Sequence, residues 1–293
     1  MKTLLCLSMC LLLCMGCTEK QPAEQVDTTM QENELAPALP DNSAATILPE
    51  STDDIKPIPE ADLSVDNDTQ ETADISTPLS GHIICIDPGH CVTSETGSGR
   101  REAISPLSDK TKIAFGGGTS GKYMTEEQLN LSVGLKLRDK LQDLGATVIM
   151  TREVSNITIT NQERSEIANG SGADVCVRIH ADGVDDRSVH GVSVLVPSGN
   201  LLGTPSITEE SERLGKLMVD AVSNETGAKN RGITGRSDLT GFNFSEIPTV
   251  LIEMGFMSNP DEDAILSTDS YQDKIVSGIA NSLLSWYGID CEQ

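Results

Sequence analysis

The stretch Ile83-Ile84-Cys85-Ile86-Asp87-Pro88-Gly89-His90 decides the fold of this chain. Four consecutive apolar residues are typical of a strand that is buried on both faces, as in α/β sheets. Pro88 cannot continue a ladder of sheet hydrogen bonds, and Gly89 permits a sharp bend, so the strand ends at this point. His90 therefore follows the carboxyl end of a strand, where open α/β sheets bind their ligands.

Predicted strands and helices alternate from residue 81 to about residue 290. The strands are predicted at 83–86, 146–151, 174–180, 191–196 and 249–252, and the helices at 125–145, after 156–160, at 206–226, from 259 and at 271–286. This alternation predicts an α/β fold: a single three-layer domain with a twisted, mostly parallel or mixed sheet flanked by helices.

Two kinds of local signal refine this prediction. Thr125 with Gln128, and Ser206 with Glu209, have the spacing of capping boxes and predict the starts of the two long helices. The polar segments 91–124 and 227–248 are predicted as loops, and loops of this length in a compact domain are usually functional.

The amino terminus has the features of an export signal. Lys2 is followed by about a dozen apolar residues, which predicts a signal peptide over residues 1–16 that is too short to span a bilayer. Its end, Leu13-Cys14-Met15-Gly16-Cys17, resembles a bacterial lipoprotein signal, although the leucine stands one place earlier than usual. The resemblance implies lipidation at Cys17 and a lipid anchor in the membrane; the alternative is an ordinary cleaved signal and a secreted protein.

The next segment has the composition of a disordered linker. Residues 18–80 contain seven of the 13 prolines, no aromatic residue, and 15 acidic residues against two lysines. Such a segment cannot bury enough apolar surface to offset the entropy of ordering it. We therefore predict an acidic, disordered linker over residues 17–80 and a folded domain over residues 81–293. This acidity argues against nucleic acid as a partner.

The cysteines do not form a metal-binding pattern. Four of the eight lie in residues 1–17, Cys85 and Cys176 lie in apolar runs typical of buried strands, and no CxxC pair occurs outside residues 1–17. A zinc site made of cysteines alone is therefore not predicted.

Three apolar strands end in an ionisable residue, namely His90, His180 and Glu253. One histidine at a strand end is most often structural, but two of only four histidines and a carboxylate occupy such ends here. If the strands are parallel neighbours, the three side chains converge on one rim of the sheet.

Two histidines and a carboxylate with an open fourth position form a catalytic zinc site. Glu126 and Glu127 are candidates for the carboxylate, because a side chain in the first turn of a helix points back toward its amino end. Either residue can instead complement the helix dipole, and spacing alone does not separate the two.

Four motifs carry a resemblance to a known family. They are Asp87-Pro88-Gly89-His90, Glu126 with Leu129-Asn130-Leu131, Arg178-Ile179-His180-Ala181-Asp182, and Ile252-Glu253-Met254-Gly255-Phe256-Met257-Ser258-Asn259. In this order they resemble the zinc-dependent N-acetylmuramoyl-L-alanine amidases of the type-3 family, and the similarity covers residues 81–287.

The resemblance implies a set of roles. One Zn²⁺ would be held by His90, Glu126 and His180, and Glu253 would be the catalytic base. The substrate would be the amide between N-acetylmuramic acid and L-alanine in peptidoglycan, which makes residues 81–293 the catalytic domain. Alternatives are another zinc peptidase of the stem peptide, or a non-catalytic peptidoglycan-binding protein of the same fold; the need for a protein activator is left open.

Two residues near the predicted site have competing interpretations. Arg178 shares a strand face with His180 and is predicted to steer a substrate carboxylate, or else to form a structural ion pair. Cys91 stands where the family usually has glycine, and its thiolate is a possible competing metal ligand. His82 and His190 lie at strand starts and are placed outside the site.

Overall fold

The computed structural model of the chain describes residues 77–91 and 99–289. The predicted signal, Cys17 and nearly all of the predicted linker lie outside these ranges. All described residues belong to one compact unit. In the described ranges, no helix combines the length and the apolar character needed to cross a membrane.

The described residues form eight strands and six α-helices. The strands are β1 Ile83–Pro88, β2 Arg101–Ser105, β3 Ser108–Ile113, β4 Thr147–Met150, β5 Val175–Asp182, β6 Val192–Pro197, β7 Asn230–Arg236 and β8 Thr249–Phe256. The helices are α1 Glu126–Asp143, α2 Asn161–Gly170, α3 Thr208–Thr226, α4 Thr240–Asn243, α5 Pro260–Leu266 and α6 Asp269–Trp286.

The main sheet confirms the predicted fold class. Its strand order is β4-β1-β5-β8-β6-β7, and β4, β1, β5 and β8 are parallel to one another. β6 runs antiparallel to β8, and the edge strand β7 is parallel to β6. The carboxyl ends of β1, β5 and β8 therefore meet at one rim, as the sequence predicted.

The sheet buries different side chains on its two faces. Ile84 and Ile86 of β1 belong to a large apolar core that includes residues of α1, α3 and α6. Cys85 points to the opposite face and packs with Cys176, Ala168 and Ala173 in a small cluster. The prediction of a first strand buried on both faces is confirmed, and the small cluster leaves room for polar groups on its face.

One of the two predicted capping boxes is present. Thr125 accepts a hydrogen bond from the Gln128 N–H, and the Gln128 side chain accepts one from the Thr125 N–H. The box at Ser206 was predicted wrongly, because a 3₁₀ turn over Pro205–Ile207 precedes α3. Pro205 has a fixed φ that suits the start of a turn, so Ser206 lies inside that turn and not at the helix cap.

Both predicted long loops contain regular structure. Residues 91–124 include the antiparallel hairpin β2–β3, and residues 227–248 include β7 and α4. The prediction missed these strands because they lack apolar runs: β3 is exposed over most of its length, and β7 is a sheet edge. The hairpin forms a small two-stranded sheet of its own.

Candidate active site

The polar side chains at the rim come from three adjacent strands. Asp87 of β1 is level with Arg178 of β5, and His180 of β5 is level with Glu253 of β8. Alternation along each strand directs these side chains away from the large core, because Ile86, Ile179 and Ile252 point into it. The sheet register therefore collects charge on one face at one end.

His90 stands just beyond the rim in an unusual backbone conformation. Its φ of 59° lies in the left-handed region, which for a residue other than glycine costs about 1–3 kcal/mol. Two buried guanidinium groups hold this turn. Arg152 donates to the carbonyls of Pro88 and Gly89, both at 2.9 Å. Arg164 donates to the carbonyls of Pro88 at 2.9 Å and His90 at 2.7 Å.

A cluster of possible metal ligands lies at the centre of the site. Glu126 Oε1 is 3.0 Å from His90 Nε2 and 3.0 Å from His180 Nδ1. The possible ligand atoms of these three residues all lie within 4.8 Å of one another. Glu127 turns elsewhere and forms a buried ion pair with Arg152 at 3.1 Å. The structure thus brings Glu126, and not Glu127, to the two histidines.

Neighbouring backbone groups orient the three side chains. His90 Nδ1 lies 2.8 Å from the carbonyl oxygen of Gly116 and donates to it, which directs Nε2 toward Glu126. Glu126 Oε2 accepts a hydrogen bond from the Thr119 N–H at 2.8 Å. A Cβ atom at Gly89 would lie 2.2 Å from the His180 ring, so only glycine permits this approach.

The cluster shifts the pKa of each of its members. Burial disfavours the charged form of Glu126, but hydrogen bonds from both imidazoles outweigh it and hold the pKa of Glu126 well below its usual range. Burial lowers the pKa of His180. Burial also acts against the charged form of His90, but the hydrogen bond and charge of Glu126 raise the pKa of His90 overall. The carboxylate is therefore ionised at neutral pH and available to a cation.

Glu253 lies beside this cluster. It lines the same cleft of about 410 Å³ as His90, Glu126 and His180. Its Oε2 atom is buried and has no hydrogen-bond partner among the described residues. Burial, and then the charges of Glu126 and Asp182, raise the pKa of Glu253 well above its usual value. This carboxyl group is accordingly free to exchange a proton with a group in the cleft.

The other residues considered from the sequence do not belong to the ligand cluster. Arg178 is 4% exposed and forms an ion pair with Asp87 Oδ2 at 2.9 Å, which supports the structural alternative; a steering role stays a prediction. Within the described part of the chain, Cys91 is not in the ligand cluster. His82 pairs with Asp174, and His190 contacts the Ser188 carbonyl, both away from the cluster.

Sequence reasoning missed the residues that support the cluster. Arg152 holds the turn before His90, and the Asn130 amide donates to Glu126 Oε1 and to the Gly89 carbonyl, both at 3.3 Å. A signal for Arg152 was available, because it closely follows the carboxyl end of β4, at the same rim as His90.

Fold and site together define an α/β protein with a candidate metal centre of two imidazoles and one carboxylate, a donor set found in metal-dependent hydrolases. Comparison with known proteins gives the family. Residues 84–285 match the family described as N-acetylmuramoyl-L-alanine amidase, and the chain belongs to that family. It is therefore an amidase, a class of hydrolase.

Individual relatives agree with the family. The chain is 28% identical over 212 residues to N-acetylmuramoyl-L-alanine amidase Rv3717 of Mycobacterium tuberculosis, covering 70% of this chain and 88% of the relative. It is 29% identical to the germination-specific N-acetylmuramoyl-L-alanine amidase of Bacillus subtilis, covering 72% and 82%. The crystal structure of the amidase Ami1 from Mycobacterium smegmatis superposes with a TM-score of 0.65 at 27% identity, covering 72% and 98%.

Proposed function

We propose that this chain is a zinc-dependent amidase that hydrolyses the bond between N-acetylmuramic acid and L-alanine in peptidoglycan. The observation that carries the proposal is the position of Glu126 Oε1, 3.0 Å from an imidazole nitrogen of each histidine, in a chain of the amidase family. This donor set supports a metal requirement, because the possible ligand atoms of all three residues lie within 4.8 Å of one another.

The donor set suits zinc. Two imidazole nitrogens and one carboxylate oxygen are ligands that Zn²⁺ prefers, and a site with three protein ligands keeps a position open for reactants. His90 Nε2, Glu126 and His180 Nδ1 would hold the ion. When bound, the ion supplies Lewis-acid polarisation of a carbonyl and activation of water.

Glu253 is proposed as the catalytic base. Hydrolysis of an amide requires that a proton leave the attacking water and reach the departing nitrogen. Glu253 lines the same cleft as the ligand cluster, and its Oε2 atom has no partner among the described residues. Burial raises the pKa of Glu253, and a carboxylate with a raised pKa is a stronger base toward water.

The amino terminus is proposed to place the enzyme outside the cytoplasm. Peptidoglycan lies there, and the sequence of residues 1–17 supports export followed by lipidation of Cys17. The acidic linker would then connect the catalytic domain to the membrane. Labelling with a lipid analogue tests this: Cys17→Ser should lose the label, and a variant that kept it would contradict the anchor.

The activity is tested by digesting purified sacculi with and without a chelator and identifying the products by mass. We expect muropeptides to be split into glycan with free muramic acid and peptides with a new L-alanine amino terminus, and we expect the chelator to stop the reaction. Cleavage inside the stem peptide would identify a peptidase instead. An undiminished rate in chelator would contradict the metal centre.

A further inference from the structure

A cavity adjoins the metal cluster on the side of the β2–β3 hairpin. Its volume is about 260 Å³, and His90 and His180 line one end of it. Apolar contributions come from Phe115, Ile159 and Leu251, and the backbone of α4 lies along another side. The cavity therefore borders two of the three candidate metal ligands.

Lys112 of β3 lines this cavity, and among the described residues its ammonium group has no hydrogen-bond partner. The carboxylate oxygen closest to it in the described ranges is Glu102 Oε1 at 4.0 Å, which is beyond hydrogen-bonding distance. Glu102 is already satisfied, because its oxygens accept from Asn161 Nδ2 at 2.9 Å and from the Gln162 N–H at 3.2 Å. The Lys112 side chain is 34% exposed, so it remains accessible from the cavity.

The charged side chains that line the cavity are cationic. Arg164 and Arg178 both pair with the single carboxylate of Asp87. Lys112 is the third cation, and neither Asp87 nor Glu102 is among the described residues that line the cavity. The chain as a whole carries a net charge of −24, so a local excess of positive charge beside the cluster is contrary to the general trend. Such a place attracts an anionic group.

We propose that this cavity binds the peptide arm of the substrate and that Lys112 pairs with a carboxylate on the residue that follows L-alanine. The assignment rests on the proposed amidase function. The glycan arm carries no carboxylate once the muramic acid is in amide linkage, whereas the stem peptide is acidic, so the positive excess distinguishes the two arms. The apolar side chains that line the cavity fit the alanine methyl group and the methylene groups of the next residue.

Arg178 is a poorer candidate than Lys112 for pairing with the substrate carboxylate. Its guanidinium is buried and lies against α4, where a Cβ atom at Gly241 would be only 1.5 Å from Arg178 Nη1. Lys112 lines the same cavity, with its side chain partly exposed. Of these two residues, Lys112 is the one without a hydrogen-bonded carboxylate among the described residues, so its ammonium group can meet an incoming anion.

The test compares two soluble muramoyl peptides that differ only at the residue after L-alanine, which bears either a free carboxylate or a carboxamide. We expect the wild-type enzyme to favour the free acid by about tenfold in kcat/KM, mainly through KM, as one charge-assisted hydrogen bond implies. Lys112→Met should bring the ratio close to one, and Lys112→Arg should keep the preference for the acid.

Lys122→Met is the matched control. Lys122 is an exposed lysine that lines a separate groove, with Tyr123 and Arg187, and does not line the cavity of Lys112. Its replacement should leave the acid-to-amide ratio unchanged. Equal rates for both substrates with the wild-type enzyme, or an unchanged ratio in Lys112→Met, would overturn the assignment and leave the amidase function standing. Failure to cleave either substrate would overturn both.

Discussion

The two faces of the central sheet bury different kinds of side chain. On one face Ile84, Ile179 and Ile252 are fully buried against α1, α3 and α6 in one continuous apolar core. On the other face β1 presents Asp87 and β5 presents Arg178 and His180, which are also largely buried. One sheet therefore combines an apolar core with a face on which charged groups are held out of water.

The difference shows how this fold tolerates a charged site. Burying an unpaired charge is costly, but Asp87 is surrounded by Arg164, Arg178 and the Thr151 hydroxyl. Burial of apolar side chains on one face stabilises the fold. This stabilisation offsets the cost of burying the charged groups that hold the turn at His90. Changes on the two faces should therefore have different consequences.

The largest effect is expected on the polar face, at the ligands. His180→Ala removes one of three donors, so the purified protein should retain no stoichiometric zinc and its cleavage of sacculi should fall below detection. Metal content measured by mass spectrometry and product release check this. The control is His190→Ala, an exposed histidine away from the cluster. Near-stoichiometric zinc in His180→Ala would refute its assignment as a ligand.

Asp87→Asn should have the largest effect on stability. Removing one partner of a buried ion pair leaves uncompensated charge, here on Arg164 and Arg178, and costs about 3–5 kcal/mol. Urea unfolding at neutral pH measures this loss. A change within about 0.5 kcal/mol, the range of ordinary surface substitutions, would show that the pairs do not support the polar face.

The difference in unfolding free energy between the wild type and Asp87→Asn should depend on pH. Burial acts against ionisation of Asp87, but Arg178 and then Arg164 hold the pKa of Asp87 well below its usual range. Its stabilising effect is therefore complete above the unfolded-state pKa of about 4 and is lost as the pH falls below it. The gap in unfolding free energy between wild type and Asp87→Asn should narrow below about pH 4. A gap that stayed constant down to pH 2 would contradict this.

On the apolar face we expect stability to change without any change in chemistry. Leu283 of α6 is fully buried, and Leu283→Ala should cost about 2–5 kcal/mol through lost burial and the cavity left behind. At a temperature where the variant remains folded, its zinc affinity should equal that of the wild type. A parallel loss of zinc affinity would show that the two faces are not independent.

The smallest effect is expected for a residue that positions the His90 turn. Arg152→Lys keeps the charge but loses the two guanidinium N–H groups that donate to the Pro88 and Gly89 carbonyls. Zinc affinity should therefore fall by about tenfold. Competition with a coloured chelator measures this affinity. Arg138→Lys, in a surface pair with Glu153, is the control and should bind zinc as the wild type does. Equal affinities in the two variants would contradict the positioning role.

The sequence predicted those features that rest on apolar runs. β1, β5 and β8 are near-continuous apolar segments buried on both faces, so their existence, their parallel pairing and the shared rim could be anticipated. The structure then placed His90, Glu126, His180 and Glu253 around one cleft.

The features that could not be predicted rest on contacts between residues distant in sequence. The β2–β3 hairpin is polar and has no apolar alternation, so its sequence resembles that of a loop. The cavity beside Lys112 could not be predicted either, because residues of this hairpin line it. Spacing did not show which of Glu126 and Glu127 contacts the histidines. Glu127 is instead bonded to Arg152, which lies 25 residues further along the chain. Likewise, the buried ion pair of Arg178 depends on its register with Asp87.

The most direct test of the central claim is a joint measurement of zinc content and turnover in Glu253→Gln. Glu253 is proposed as the base and not as a ligand, and glutamine preserves the shape of the side chain. The variant should bind one zinc ion per chain as the wild type does, while its release of peptides with an L-alanine amino terminus from sacculi falls by about 10²–10⁴-fold. A variant that bound zinc and cleaved at a near-normal rate would contradict the account.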